Sequence, residues 1–391
     1  MITKAELSDL MKPLDPPQKL LLGPGPSNPH PDIKKAMMLP MLGHMHSEFF
    51  QVMKEVSQGL RYLFQTQNRL TLATSGAGHT GMEAAISNLV ERGEKVLVTN
   101  NGHWGNRALD VVERYGGVPC CLKRALGEAF TLEEIEAGLK DHKPECLFVC
   151  HSESSTGVMH PLEGIGDLCR KYNCLFIVDT VASLGGTSFH MDNLKIDLVY
   201  SGSQKVIGCP PGLAPISVGP RAEAKLRSRK TKPASYYNDL LLLGNYWGCF
   251  DEKPIYHHTA PIPLVYALRE ALRLIAEEGL ENINRRHAAN AKLLRDGIEQ
   301  LGLTLFVKNP AHRLPTVTTI KIPDDMAETW PSVVQYIMKE YKIEIAGGLG
   351  CSIGYVWRIG LMGYNSTPQN VKKALDALKD AMEVCRSKEK L

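Results

Sequence analysis

The sequence predicts an α/β fold with a mostly parallel central sheet covered by helices, followed by a smaller C-terminal α/β unit. Three observations carry this expectation. Between about residues 21 and 275, short β-rich runs alternate with helical patterns: "RLTLAT", "KVLVTN", "CLFVCHS", "CLFIVDT", "IDLVYSGS" and "APISVG". Four of them are near-continuous apolar runs ending in small or polar residues, the pattern of strands covered on both faces. Beyond them, "PLVYALREALRLIAEEG" and "NINRRHAANAKLLRDGIEQLG" repeat apolar residues at spacings of three and four, each closed by glycine.

Taken in order, residues 1–20 read as a Pro-bearing arm without a core of its own. Residues 21–275 form the large domain. Residues 276–391 form the small one, with strands in "PTVTTIKIP", "KIEIAGG" and "YVWRIGLMG" and a last helix after Thr367. The opening "MITKAELSDLMKPLDPP" has neither the apolar core of a signal peptide nor the Arg-rich, acid-poor make-up of a presequence. The chain ends in Lys390-Leu391, loosely like a peroxisomal address, so a peroxisome is the expected compartment, with cytoplasm or mitochondrion as alternatives.

At 391 residues the chain is long for one packed unit, and two are expected. A formal net charge of +3 is too small to imply a polyanionic partner. The basic cluster Lys225, Arg227, Arg229, Lys230 and Lys232 lacks interleaved aromatics and reads as a solvated or substrate-facing surface, with no nucleic acid expected. No uncharged apolar run reaches the roughly 18 residues of a membrane span, so no membrane is expected either. Ten cysteines occur without a single C-x-x-C. Cys146 and Cys150, inside "CLFVC", read as small buried hydrophobes, and a reducing compartment follows.

In parallel sheets ligands bind beyond the carboxyl ends of strands, so the residues there hold the functional information. Gly76-Ala77-Gly78-His79-Thr80-Gly81 matches G-x-G-x-x-G. A dinucleotide site would also need an acidic residue about 20 positions on, where this chain has Thr99, Asn100 and Asn101. What survives is a phosphate cradle at a helix N-terminus. "CLFIVDT" puts Asp179 at one strand end, and "IDLVYSGSQK" puts Lys205 just beyond another. Each alone could be an ordinary turn or surface residue. Together with the cradle and Trp104 they have one coherent use. A phosphorylated aromatic aldehyde needs a lysine for a Schiff base, a carboxylate for its ring nitrogen, a flat group over its ring and N–H donors for its phosphate.

At this point the chain resembles the fold-type I pyridoxal-phosphate enzymes, specifically the alanine–glyoxylate (serine–pyruvate) aminotransferases and their relative, insect 3-hydroxykynurenine transaminase. The resemblance runs over nearly the whole chain: "LLLGPGPSN", "SGAGHTGMEA", "HSESSTGV", "VDTVASLGG", "YSGSQKV", "NYWGCF", "YHHT", "RLPTVTT", "GGLG" and "RIGLMG". It implies pyridoxal 5'-phosphate as cofactor, Lys205 as its Schiff-base lysine and Asp179 as partner of its ring nitrogen. It also implies Trp104 and Val181 on the two ring faces, Ala77, Gly78 and His79 around the phosphate, and Ser154 and Gln204 as further contacts. Tyr256 and Thr259 resemble a pair that reaches the phosphate from the other subunit, so a homodimer with shared sites is implied. Arg358 resembles the arginine that binds the substrate carboxylate, for which its planar fork suits it.

The implied reaction is a ping-pong transamination. Alanine or serine would be donor and glyoxylate or pyruvate acceptor. Gly43 and His44 stand where kynurenine-type relatives carry Ser-Asn, which favours the small substrates over kynurenines. Two rivals are a cysteine desulfurase using Cys351 and a nicotinamide oxidoreductase. The pair His257–His258 has no third ligand spaced to help, so no metal is expected.

Overall fold

The computed structural model describes residues 4–7 and 9–388. The expected peroxisomal address at Lys390-Leu391 and the first residues of the arm lie outside them. A seven-stranded sheet forms the centre: β1 (Leu70–Ser75), β2 (Lys95–Asn100), β3 (Val118–Lys123), β4 (Cys146–Cys150), β5 (Leu175–Asp179), β6 (Leu198–Tyr200) and β7 (Leu213–Val218). Its spatial order is β1-β7-β6-β5-β4-β2-β3. Only β7 runs antiparallel, to both of its neighbours; the other pairs are parallel. The expected mostly parallel sheet is therefore present, with one reversal in it.

The inner strands β4 and β5 are buried at every position, which is why they read as unbroken apolar runs. Phe148 and Phe176 on them, and Tyr200 on β6, are wholly buried, and burying side chains of this size contributes about 1.5–3 kcal/mol each. Edge strand β3, "VPCCLK", did not stand out in the sequence. Its side chains are exposed or only half-buried, so the core imposes no apolar run on it. Cys146 and Cys150 are buried as expected.

A second sheet is antiparallel and three-stranded, with Val356–Gly360 between Val317–Lys321 and Ala346–Gly347. It packs with the helices Leu280–Gln300 and Pro368–Lys388 around a separate core that includes Trp357, Ile359 and Leu378. Leu22 belongs to this second core, and Leu20–Leu21 pairs in parallel with Ile343–Glu344. "KIEIAGG" thus serves two short ladders rather than one strand, the second being Ala346–Gly347.

The two cores are linked by a small apolar cluster of Ala182, Val206, Leu314, Val317 and Met362 and by polar contacts. On helix Leu280–Gln300, Arg286 forks onto Glu278 and donates to the carbonyls of Gly363 and Ser366. His287 Nε2 accepts the Gly363 N–H at 3.0 Å. Among the described residues, no helix is long and apolar enough to cross a membrane. The basic cluster is absorbed into local pairs: Lys225 with Glu94, Arg227 with Glu223, and Arg229 with the carbonyls of Asn88 and Val90.

Candidate active site

One cavity at the carboxyl ends of the strands is lined by Ala77, Gly78, His79, Trp104, Ser154, Asp179, Val181, Gln204 and Lys205. These nine positions were singled out in the sequence, and they come from five separate segments. Each segment has a physical reason to be there.

The glycine turn follows β1. Gly76 has φ +148°, and a Cβ on it would lie 2.0 Å from Thr80 Oγ1, so only glycine fits. Gly81 lets the helix Gly78–Leu89 lie on the sheet, because a Cβ there would meet the Tyr200 ring at 2.7 Å. Ala77 is the N-cap of this helix and has no side-chain acceptor for the first-turn N–H groups. The helix N-terminus is therefore available to an anion. His79 Nε2 lies 2.9 Å from Arg107 Nη1. A guanidinium only donates, so Nε2 accepts and the ring is neutral with its proton on Nδ1. Burial and the Arg107 charge pull its pKa down accordingly.

Asp179 ends β5 and is 3% exposed. Its register partner on β6 is Tyr200, whose hydroxyl donates to Oδ2 at 2.6 Å. The Val181 N–H donates to Oδ1 at 2.8 Å. Burial pushes the carboxyl up to about 6, while Tyr200, Val181 and the Lys205 charge work against it. Lys205 sits on the return between β6 and β7, and its Nζ donates to the Pro24 carbonyl. Burial and the nearby Arg358 charge pull its amine down to about 8, opposed by Asp179 and Glu344. A lysine so shifted is in part a free amine near neutral pH.

Trp104 opens the helix His103–Arg114. Its indole N–H donates to Ser154 Oγ at 2.9 Å. Arg358 lies in the middle strand of the small sheet and is 6% exposed. Nε donates to Gly347 O at 2.7 Å and Nη1 to Ser154 O at 3.0 Å. Its Nη2 donates to no described residue in these pairings, which leaves an edge for an acidic ligand. Burial pulls the guanidinium down to about 10, and the Glu153 carboxylate opposes this.

The remaining four positions stand apart from the cavity lining. Gly43 and His44 are half-buried, and Tyr256 and Thr259 are exposed. They gather on one face, where the His44 and Tyr256 rings are 5.3 Å apart. Tyr246 OH donates to the His44 carbonyl. Large apolar residues crowd this face: Met38 is 84% exposed, Met41 73%, Tyr236 65% and Ile255 67%. His257 and His258 serve as a relay. His257 Nε2 lies 3.1 Å from Tyr236 O and must donate to it. Its Nδ1 then accepts from His258 Nδ1 at 2.9 Å, and His258 Nε2 accepts from Ser75 Oγ at 2.7 Å. Among the described residues, no group of three or more His, Cys, Asp or Glu side chains is placed to hold a metal.

The sequence reading missed Pro24, Tyr200, Glu153 and Glu344, all of which touch or bias this site. Three of these segments were marked only as motifs, "LLLGPGPSN", "HSESSTGV" and "YSGSQKV". The residues fit a phosphorylated pyridine aldehyde on three counts: an uncapped helix N-terminus, a buried carboxyl beside a partly neutral amine, and the buried Gln204 Oε1, which has no partner. The dinucleotide alternative loses its ribose site altogether. Thr99 donates to Phe148 O, Asn100 to Asn106 and Asn101 to Glu128 O. As a desulfurase nucleophile Cys351 is poorly tuned, since burial raises its thiol instead of favouring a thiolate.

Comparison with known proteins agrees with this geometry. The profile of the family "Aminotransferase class-V" matches residues 34–373. An alanine–glyoxylate aminotransferase of Callithrix jacchus is 50% identical over 97% of this chain and 91% of its own length. That of Drosophila melanogaster is 48% identical over 96% and 95%. The crystal structure of an alanine–glyoxylate aminotransferase from Nostoc sp. superposes with a TM-score of 0.92 at 47% identity, covering 95% of this chain and 97% of the other.

Proposed function

The chain belongs to the class-V aminotransferases, which are pyridoxal-phosphate enzymes, and on that premise we propose that it passes the amino group of alanine, with serine as second donor, to glyoxylate, with pyruvate as second acceptor. One observation carries the reading. Asp179 and Lys205 line a cavity whose floor is a helix N-terminus and whose wall is Trp104, and the Arg358 charge acts on the Lys205 amine from beside it. When bound, pyridoxal phosphate supplies the electron sink that makes a proton at the substrate Cα removable.

The chain's own residues do the rest. Asp179, fixed by Tyr200 and Val181, holds a proton on the ring nitrogen. A cation there draws the carboxyl back toward its charged form. Trp104 and Val181, which line the same cavity, would hold the ring between them. Gly78 and His79 offer their N–H groups to the phosphate. Lys205 Nζ, a partly free amine, would take the substrate Cα proton as base and give it back as acid. Arg358 clamps the carboxylate shared by every amino and oxo acid in the cycle.

Tyr256 and Thr259 complete the phosphate site of a second copy, and Gly43 and His44 line its mouth. Support comes from their position on an exposed apolar face, a surface of the kind buried in association. The compartment proposed is the peroxisome, on Lys390-Leu391 alone, and a fluorescent fusion with and without those residues tests it. For the activity, a panel of amino donors against glyoxylate, pyruvate and oxoglutarate decides. Alanine with glyoxylate is expected to be fastest. Kynurenines outpacing alanine would move the chain to the kynurenine-type reading.

A further inference from the structure

We infer that Glu153 is a positioning residue that fixes Trp104 and, through Ser154, Arg358; the inference rests on the cofactor reading above. The helix His103–Arg114 begins at Gly102, which has no side chain with which to cap it. Its first N–H groups are instead received by a segment about fifty residues away. The His103 N–H donates to Ser155 Oγ at 3.0 Å, and the Trp104 N–H to Glu153 Oε2 at 2.9 Å. The other carboxylate oxygen, Oε1, accepts the Ser155 N–H at 3.0 Å and the Ser155 hydroxyl at 2.6 Å.

Glu153 is 0% exposed, and among the described residues no lysine or arginine is in ion-pair contact with it. Its hydrogen-bond donors are all neutral, and among the described residues only the Arg358 cation is felt nearby; burying a carboxylate so is costly, and an ordinary helix cap would not need one. The space it fills is reserved for it: a Cβ on Gly102 would lie 2.3 Å from Glu153 Cδ. The next residue continues the arrangement. Ser154 Oγ accepts the Trp104 indole N–H, and its carbonyl accepts from Arg358 Nη1. Residues 153–155 therefore hold the tryptophan by both backbone and ring, and the substrate arginine by one edge.

The charge number and the acceptor number of Glu153 both matter. A glutamine has one acceptor oxygen, and its amide would face either the Trp104 N–H or the Ser155 N–H donor to donor. Glu153→Gln thus frees Trp104 while changing almost no volume. If Glu153 merely capped a helix, its loss would be felt whether or not residue 104 were tryptophan.

A double-mutant cycle separates the two. Apo-protein is titrated with pyridoxal phosphate and read by visible circular dichroism, for wild type, Glu153→Gln, Trp104→Phe and the double variant. Each single change is expected to weaken binding about tenfold, and the double by less than about twofold beyond Trp104→Phe. Multiplying losses would overturn the inference, as would a folded Glu153→Gln that binds like wild type. If Glu153→Gln does not fold, Ser155→Ala takes its place in the same cycle, with a loss of about threefold that again disappears beside Trp104→Phe; a loss that persists there would overturn the inference. A wild-type chain that takes up no pyridoxal phosphate overturns the cofactor reading, and this one with it.

Discussion

Two regions of this chain carry the residues assigned to one reaction, and they are built on opposite terms. At the strand ends, Asp179, Ser154 and Arg358 are buried and hydrogen-bonded within the chain, and the pKa values of Asp179 and Lys205 are displaced toward one another. On the face of Gly43, His44, Tyr256 and Thr259, rings and methionines stand in solvent. The first region is finished within one chain. The second has the make-up of a surface that is finished by contact. On the proposed reading, the difference is between half a site encoded by burial and half left to association. The Ser75–His258–His257–Tyr236 relay physically joins the two.

The largest effect that would break this contrast belongs to the interior. Lys205→Ala should lose about 1,000-fold or more of the transamination rate, because among the described residues no other lysine lines the cavity. Steady-state assays measure it, and a retained rate would remove Lys205 from the chemistry. Next comes a mixing test of the division itself. Lys205→Ala and Tyr256→Ala are each impaired alone, but a random mixture contains mixed dimers with one intact site. Activity should recover to about a quarter of wild type. No recovery on refolding the two together would place Tyr256 in its own chain's site or outside both.

A smaller, sharper effect concerns substrate binding. Arg358→Lys should raise KM for glyoxylate about tenfold while kcat changes by only a few-fold, since the fork is lost and the charge kept. A fall in kcat with KM unchanged would point to a different role. The smallest effect tests the relay. His258 is pulled down to about 4, first by burial and then by the neighbouring His257. Its folded value lies below the unfolded one near 6.5, so it contributes stability above about pH 6.5 and loses it as pH falls toward 4. The ring is partly exposed, which limits the change to about 1 kcal/mol. Thermal unfolding of wild type and His258→Asn should therefore show a gap at pH 7 that narrows at pH 5.

Much of the interior region was legible in the sequence, because buried parallel strands write themselves as apolar runs and their last residues mark the ligand edge. Asp179 and the glycine turn were found that way. Trp104 joined them as the flat group such a ring needs, whereas Val181 and Arg358 needed the family resemblance, since a lone valine or strand arginine has many ordinary uses. Tyr200 was hidden for the same reason: inside "IDLVYSGS" it looks like one more core aromatic, and only register places it opposite Asp179. Strand β3 was hidden because an edge needs no apolar pattern. The Pro24 contact to Lys205 was out of reach altogether, for it spans 181 residues and nothing local reports it.

The single reversal in the sheet has a kinetic meaning. Because β7 runs against β6, the segment 201–212 leaves and re-enters the sheet at the same edge, between hydrogen-bonded neighbours. Lys205 is thus moored at both ends of a short span, where a parallel crossover would have carried the chain away behind the sheet. The amine samples a small volume, and its local concentration at the reacting carbon is set by the mooring, before any substrate arrives.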